Sequence, residues 1–509
     1  MIWRGFPVFG LVLLAMAALM SIPAIYAVAL GDWHIAAGFG YSMAVTAIAG
    51  CLLVVAMRRR AENAGAFGEF ALLLATLAIA PLAAAAPIAA VMPLLGYEVA
   101  YFEMVSMITT TGATVFDRLD EVHRAVILWR AVVAWFGGLV ALVMAYAVLA
   151  PRNLGGFEVR GDSGRTGAVG RLSGDPVWAG GKPSEAAGGR LARAISAVTP
   201  VYAGLTSALA VILLALGHSP LQAVVLSAGV LSTSGVSVEH GPASTASGFF
   251  GELVIAVFLV LAATRHSYGG PGRRPFRFDT LPHDPEMRLL FVIVVGLSAW
   301  LYLRHWIGVL ELDEGGAAAG SLRALWGGFF TVLSFSTTTG YLSADWESAR
   351  QWSGLDSPSL IFFGLAIMGG GIATTAGGVK LLRAYALFKH GARELERLVR
   401  PSSISGAGAR KRGLRREGAQ IAWIFVMMFL VTLAVAMLVL SLLGMTFENA
   451  MSAAVAALSN TGPLFPATTG GSWLTSVTPE GRIVLVVVMV LGRVEILALI
   501  AMLNADNWR

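Results

Sequence analysis

The chain has 509 residues, 57% of them hydrophobic and only 13% charged, with a formal net charge of +6. Soluble globular chains carry about a quarter charged residues, so the composition excludes a water-facing globule and makes lipid the main solvent of the surface. One cysteine, Cys51, excludes an intrachain disulfide framework and a multi-cysteine metal site, and reads as a small apolar core residue; the modest basic excess gives no argument for nucleic acid.

In chain order, the first apolar run covers 6–30, after Arg4. It is longer than the roughly 7–15-residue core of a cleaved signal. It reaches the roughly 20 residues that a bilayer-crossing helix needs, so it is expected to remain as the first span. Further spans are expected at 38–57, 69–92, 125–149, 195–217, 249–264, 288–310, 358–388 (interrupted), 418–444 and 481–503. The fold class is therefore an all-α polytopic membrane protein of about ten spans. Lys and Arg crowd into 58–60, 151–194, 265–288 and 380–417, whereas 218–247 and 464–481 have none. Asp117, Asp120, Glu121, Asp345, Glu347 and Asp356 fall on the alternate loops. The positive-inside rule then places the basic loops and both termini in the cytoplasm. Residues 152–190, rich in Gly, read as a flexible cytoplasmic loop, and 401–416 as a basic linker, set by the positive-inside rule or by docking of anionic lipid or a cytosolic partner. Trp129, Trp135, Trp300, Trp306, Trp346 and Trp473 lie near span ends and are expected to anchor at the interface.

A short pattern recurs four times on the outer connections: hydroxyl, Thr or Asn, hydroxyl, glycine. The copies are Thr109-Thr110-Thr111-Gly112, Ser232-Thr233-Ser234-Gly235, Thr337-Thr338-Thr339-Gly340 and Ser459-Asn460-Thr461-Gly462. Their glycines are 105 to 123 residues apart. Each copy follows an apolar segment too short to cross, at 97–108, 220–231, 323–335 and 447–458. Ala100, Ala223, Gly328 and Ala450 lie twelve positions before the glycine, and Ser106, Gly229, Ser334 and Ala456 six before it. Self-similarity at a fixed period marks repeated units. The unit is span, short helix, hydroxyl–glycine strand, span. The layout is then two extra helices in 1–60, repeat one in 61–155, a cytoplasmic loop in 156–194, repeat two in 195–270, repeat three in 271–400, and the basic linker with repeat four in 401–509.

One such strand alone would read as helix packing, since small residues are common at membrane helix contacts. Four in register call for a different account. Irregular backbone at membrane depth is tolerated only where protein buries it or where it lines a watery cavity. Four strands around one axis can aim carbonyl oxygens inward and replace the hydration shell of a cation. Thr110, Thr111, Gly112, Thr233, Ser234, Gly235, Thr338, Thr339, Gly340, Asn460, Thr461 and Gly462 are thus the candidate ion-binding residues. The outer acids after strands one and three would concentrate cations by their field. Glu103 and Glu448 sit on short helices, where a carboxylate braces the structure or sees the pore. Arg124 and Arg130 open the second span of repeat one and are expected to anchor or pair internally.

Four span–pore-helix–span repeats with one filter glycine each resemble the Trk/Ktr/HKT superfamily of potassium transporters. The two extra helices make the chain similar to the bacterial Trk-type membrane subunit. "SNTGP" at 459–463, "GGGIATTAGGVKLLR" at 369–383 and "LGRVEILAL" at 491–499 agree with that resemblance. Departures are Val236 after the second filter glycine, where a phenylalanine is expected, GPLF after the fourth, and "TRHSYGG" at 264–270. The resemblance implies K⁺ as the transported ion, held at the filter residues, no cofactor in this chain, and no enzymatic activity. It also implies a homodimer with one pore per subunit and a separate cytosolic regulatory ring that binds nucleotide (NAD or ATP).

Below the filter, Gly369, Gly370, Gly371, Gly377 and Gly378 interrupt a run that would otherwise span as one helix. An interior glycine costs a helix about 1 kcal/mol relative to alanine, so the segment should unwind. It reads either as a packing kink or, as the resemblance implies, as a mobile gate that includes Thr374, Thr375 and Lys380. Arg493, inside the last span, is expected either to pair with Glu495 or another internal acid or, by the resemblance, to stand in the permeation path and limit leak. Two alternatives stay open: a Na⁺- or H⁺-coupled secondary transporter built on broken helices, and a pore of the same fold with Na⁺ permeability.

Overall fold

A computed structural model describes residues 6–57, 66–152, 154, 156–157, 187–239, 247–269, 275–276, 278–309, 318–355, 357–399 and 416–495. Most of the expected flexible loop at 152–190 and of the linker at 401–416 lies outside them. The main helices are α1 (Phe6–Ala29), α2 (Trp33–Met57), α3 (Ala66–Ala78), α4 (Ala80–Val91), α5 (Tyr97–Ile108), α6 (Arg124–Met144), α7 (Ala187–Ala215), α8 (Pro220–Leu231) and α9 (Gly248–Ala262). They continue with α10 (Pro285–Val309), α11 (Ala318–Ser336), α12 (Ser359–Met368), α13 (Leu381–Val399), α14 (Arg416–Leu442), α15 (Phe447–Leu458) and α16 (Pro479–Val494). No strand occurs among the described residues.

Seven helical stretches among the described residues are long and apolar enough to cross a membrane: Val8–Ala29, Trp33–Met57, Gly68–Val91, Arg124–Arg152, Gly188–Ala215, Pro285–Arg304 and Gly418–Leu442. The three other predicted spans are the second helices of repeats two, three and four. α9 has 15 residues, about 22 Å at 1.5 Å per residue, short of the roughly 30 Å hydrocarbon core. The predicted span 358–388 is divided into α12 and α13. α16 is described only to Val494, with Glu495 as its cap at φ 65°, and the rest of the predicted span 481–503 lies outside the described residues.

α6 is the central span, 72% buried over its apolar window, whereas α2 is 22% buried. α1 and α2 cross where two glycines meet: a Cβ on Gly10 would stand 2.9 Å from the Gly50 carbonyl. This close crossing leaves the far face of α2 to lipid. Cys51 is on that exposed surface, which corrects its reading as a core residue. The tryptophans divide in the same way. Trp300 is exposed, but Trp129, Trp346 and Trp473 are buried. Trp129 Nε1 donates to the Ala84 carbonyl at 2.9 Å, and the Trp473 ring packs against Phe465 at a tilt of 36°. These three brace the protein interior rather than anchor it to the interface.

The four short helices α5, α8, α11 and α15 are the predicted pore helices, with α11 starting earlier than expected, at Ala318. Side-chain caps set the N-termini of two of them. Ser219 and Gln222 form a reciprocal capping box on α8, and the Thr446 hydroxyl accepts from Asn449 N on α15.

Candidate ion pathway

Each pore helix ends in the same hydrogen-bonded turn. In repeat one Thr110 N donates to Met107 O at 2.9 Å and Thr111 N to Ser106 O at 2.8 Å. The equivalents are Thr233 N to Val230 O and Ser234 N to Gly229 O, Thr338 N to Phe335 O and Thr339 N to Ser334 O, and Asn460 N to Ala457 O and Thr461 N to Ala456 O. This is the Schellman arrangement, in which the residue after the cap adopts a left-handed conformation and is usually glycine. Here those residues are Thr110, Thr233, Thr338 and Asn460, with φ of 55°, 53°, 60° and 53°. A β-branched residue at positive φ is an outlier, and such strain costs on the order of 1–3 kcal/mol per residue unless the surroundings impose it. Its repetition as threonine at three of the four equivalent places, with Asn460 at the fourth, points to use of the side chains.

The small residues six positions before each glycine now have a reason. Their carbonyls receive the strand, and the chain folds back over them. Ser106 Oγ donates to Ala113 O at 2.7 Å, and Ser334 Oγ accepts from Tyr341 N at 2.6 Å. A Cβ on Gly229 would lie 2.6 Å from Val236 O.

The flanking hydroxyls brace the strand. Thr109 and Thr111 oxygens are 2.8 Å apart, Ser232 and Ser234 2.8 Å, Thr337 and Thr339 3.1 Å, and Ser459 and Thr461 3.2 Å. In each pair the first hydroxyl also donates back to its own pore helix, to Val105 O, Ala228 O, Ser334 O and Val455 O respectively. In repeats one to three the proton of the third hydroxyl is thereby directed at the first; in repeat four Ser459 Oγ also donates to Thr461 Oγ1, and Thr461 Oγ1 donates to Ser459 O at 3.4 Å. Neither hydroxyl is free to point a donor along the axis, which leaves backbone carbonyls to face a cation.

The strands close into a ring in the order of the repeats. A Cβ on Gly112 would stand 1.7 Å from Ser234 O, one on Gly235 2.2 Å from Thr339 O, and one on Gly340 2.9 Å from the Pro463 ring. Gly462 N donates to Thr111 O at 2.6 Å, closing four onto one. At three of the four junctions the carbonyl before one glycine meets the glycine of the neighbouring repeat. The four glycines form the floor of a cavity of about 390 Å³, walled by Thr114, Asp117, Tyr341 and Trp473 among others. Of the outer acids, Asp117 reaches this cavity. Glu121 pairs with Arg118 and Glu347 with Arg350.

Beneath the ring sits the glycine-rich loop between α12 and α13. Thr375 Oγ1 donates to Leu231 O at 3.1 Å and accepts from Thr233 Oγ1 at 3.2 Å. Gly377 N donates to Thr338 Oγ1 at 2.9 Å. A Cβ on Gly377 would be 2.0 Å from Ser459 O. Asn460 Nδ2 donates to Thr111 Oγ1 and to Met489 O. Side chains at three of the four strained positions therefore tie the ring to the loop below it or to the last helix. Within the loop, Thr374 Oγ1 donates to Gly371 O at 2.6 Å and Lys380 Nζ to Ala376 O. Gly369 and Gly378 meet where the two ends of the loop cross, and Gly370 lies against Ala376. Gly371 lies beside Ala263 O and the Glu286 carboxylate.

Arg493 Nη1 donates to Thr375 O at 2.5 Å. It does not pair with Glu495, whose carboxylate takes Arg383 Nη2 at 2.7 Å. Residues two apart on a helix face different ways, and the positive φ at Glu495 turns its side chain further aside. The last helix therefore holds the loop at Thr375 and, through Glu495, holds α13 just beyond it. Arg383 was not legible as a partner in the sequence. Its signal was a basic residue inside an otherwise apolar run. Glu103 braces repeat one, accepting Arg130 Nε at 2.6 Å and Val115 N at 2.9 Å, whereas Glu448 is exposed. The unfamiliar segment at 264–270 places Arg265 against Asp284 at 2.5 Å and Glu286 at 3.2 Å, linking the end of repeat two to the start of repeat three.

A family model described as "TrkH: Cation transport protein" matches residues 280–507. The "Trk system potassium uptake protein TrkH" of Vibrio parahaemolyticus is 30% identical over 421 residues, covering 81% of this chain and 79% of that protein. The chain belongs to the TrkH family. Among other relatives of this TrkH family member, "Trk system potassium uptake protein TrkI" of Halomonas elongata is 27% identical over 506 residues, 97% of this chain and 95% of the relative. The crystal structure of the potassium transporter TrkH from Vibrio parahaemolyticus matches over 100% of both chains with a TM-score of 0.81 and 25% identity. It is thus a Trk-type transporter membrane subunit.

Proposed function

We propose that this TrkH family member takes up K⁺ across the bacterial inner membrane through the ring of four glycine strands. The observation that carries the reading is the cyclic closure of those strands at the floor of one outer cavity. Dehydrated K⁺ is held by the carbonyls beside Gly112, Gly235, Gly340 and Gly462, and K⁺ is cargo rather than a cofactor. The inside-negative membrane potential, about 2.3 kcal/mol per charge per 100 mV, drives entry. Both termini are cytoplasmic. The loop 369–380 is the gate, and Arg493 adds a positive barrier beneath the filter. The subunit works as a homodimer under a cytosolic nucleotide-binding ring. Exposed Phe388, Leu395 and Leu398 on α13 support such a partner on the inner side.

In a bacterium stripped of its own K⁺ uptake, the chain is expected to restore growth at low K⁺ and to accumulate Rb⁺, and dissipating the membrane potential should stop accumulation. Coupled solute uptake with no Rb⁺ flux would favour a secondary transporter instead. Arg493→Ala is expected to raise Rb⁺ leak several-fold at equal membrane levels, because both the barrier charge and the tie to Thr375 are lost. Unchanged flux would remove Arg493 from the pathway.

A further inference from the structure

The second filter strand carries Val236 where a larger side chain was expected, and the neighbouring repeat supplies what stands there. Tyr341, the residue after the third filter glycine, is buried and its ring crosses to repeat two. Its hydroxyl donates to Val236 O at 2.7 Å, one residue beyond Gly235. Room for that hydroxyl exists because position 229 has no side chain: a Cβ on Gly229 would stand 2.4 Å from Tyr341 Oη. Gly229 is also the helix position whose carbonyl receives Ser234 N. One phenol therefore touches the pore helix and the filter strand of repeat two together.

The segment bearing Tyr341 is itself fixed from repeat two. Glu252 on α9 is 1% exposed. Its carboxylate accepts from Ala344 N at 2.6 Å, Ser343 Oγ at 2.7 Å and Trp326 Nε1 at 2.7 Å. Tyr341 N donates to Ser334 Oγ on its own pore helix. Repeats two and three thus hold each other just outside the ring, Glu252 gripping the third strand and Tyr341 gripping the second.

We propose that Tyr341 is a positioning residue that sets ion discrimination, by fixing the Val236 carbonyl and hence the width of the ring at Gly235. The inference rests on the reading of the glycine ring as the cation path. A carbonyl tethered to a phenol whose own segment is held at Ser343 and Ala344 by a buried carboxylate cannot close inward around a smaller ion. Discrimination against Na⁺ depends on how well the filter resists that adjustment or on the field its carbonyls supply, and loss of the tether weakens both.

The test is the ratio of Rb⁺ uptake to Na⁺ uptake in the stripped host, at equal membrane levels, for the parent, Tyr341→Phe and Ser343→Ala. The parent ratio is read first: no Rb⁺ uptake defeats the K⁺-pore reading itself, whereas equal Rb⁺ and Na⁺ uptake leaves a pore without discrimination and overturns the proposal. With a selective parent, Tyr341→Phe removes one oxygen and should lower the ratio about fivefold, the size of one net hydrogen bond. Ser343→Ala loosens the segment without touching the ring and should lower it about twofold. A ratio unchanged in both variants overturns the proposal. If Tyr341→Phe does not reach the membrane, the Ser343→Ala ratio alone decides it.

Discussion

Gly112→Ala is expected to reduce Rb⁺ uptake to the background of the host while the protein still reaches the membrane. Gly112 has φ 73°, a conformation that disfavours any side chain. The added Cβ would fall 1.7 Å from Ser234 O and 2.9 Å from the Ser234 carbonyl carbon. Both are backbone atoms of the neighbouring strand, so no side-chain rotation relieves the clash. The ring must open between repeats one and two, which moves the Ser234 carbonyl from its place. Gly204→Ala, on α7 with nothing within 4 Å of the added carbon, is the matched control and should transport like the parent. Uptake by Gly112→Ala equal to that of Gly204→Ala would mean that the ring is packing and that cations pass elsewhere.

The second large effect is expected on stability. Glu103→Ala removes the acceptor of Arg130 Nε and of Val115 N together. Both side chains of the pair are almost wholly buried, at 2% and 0% exposure. The remaining guanidinium would keep its contact with the Phe116 ring, 5.5 Å away, at the edge of the cavity. Breaking a buried ion pair on one side costs about 3–5 kcal/mol, and an orphaned backbone N–H adds about 1–3 kcal/mol. Because Val115 lies three residues past Gly112, the loss reaches the filter as well. The purified variant should melt well below the parent, and K⁺ should protect it less. A melting temperature within a degree of the parent would show that the pair carries no net stability.

The elements that were legible in the sequence owe this to local periodicity. Pore helices α5, α8 and α15 begin and end as expected because Gly96 at φ 80° breaks the chain before α5, side-chain caps start α8 and α15, and the hydroxyl–glycine strand ends all three. The four glycines and their small partners six residues earlier were legible as a repeat, though not as a Schellman turn with a strained threonine in the glycine place. That requires knowing φ. Cross-repeat contacts were not legible. The Arg383–Glu495 pair, the Glu252 grip on Ser343 and Ala344, and the Tyr341 hydroxyl on Val236 join positions about ninety or more residues apart, and no periodic signal links such residues. At α9 the expected span 249–264 corresponds to a helix of only 15 residues, because apolar composition shows where a run lies but not how much of it is helical. Burial misled for Trp129 and Trp473, because a tryptophan near a helix end has the same composition signal whether it faces lipid or a neighbouring helix.

The most direct measurement is the position of Rb⁺ itself, from its anomalous scattering in crystals of the full chain grown with Rb⁺ in place of K⁺. The expected result is a peak on the axis of the ring, enclosed by the carbonyls of Thr111, Ser234, Thr339 and Thr461. Absence of that peak at an Rb⁺ concentration that sustains uptake, with ordered Rb⁺ found instead between other helices, would contradict the assignment of the four glycine strands as the cation path.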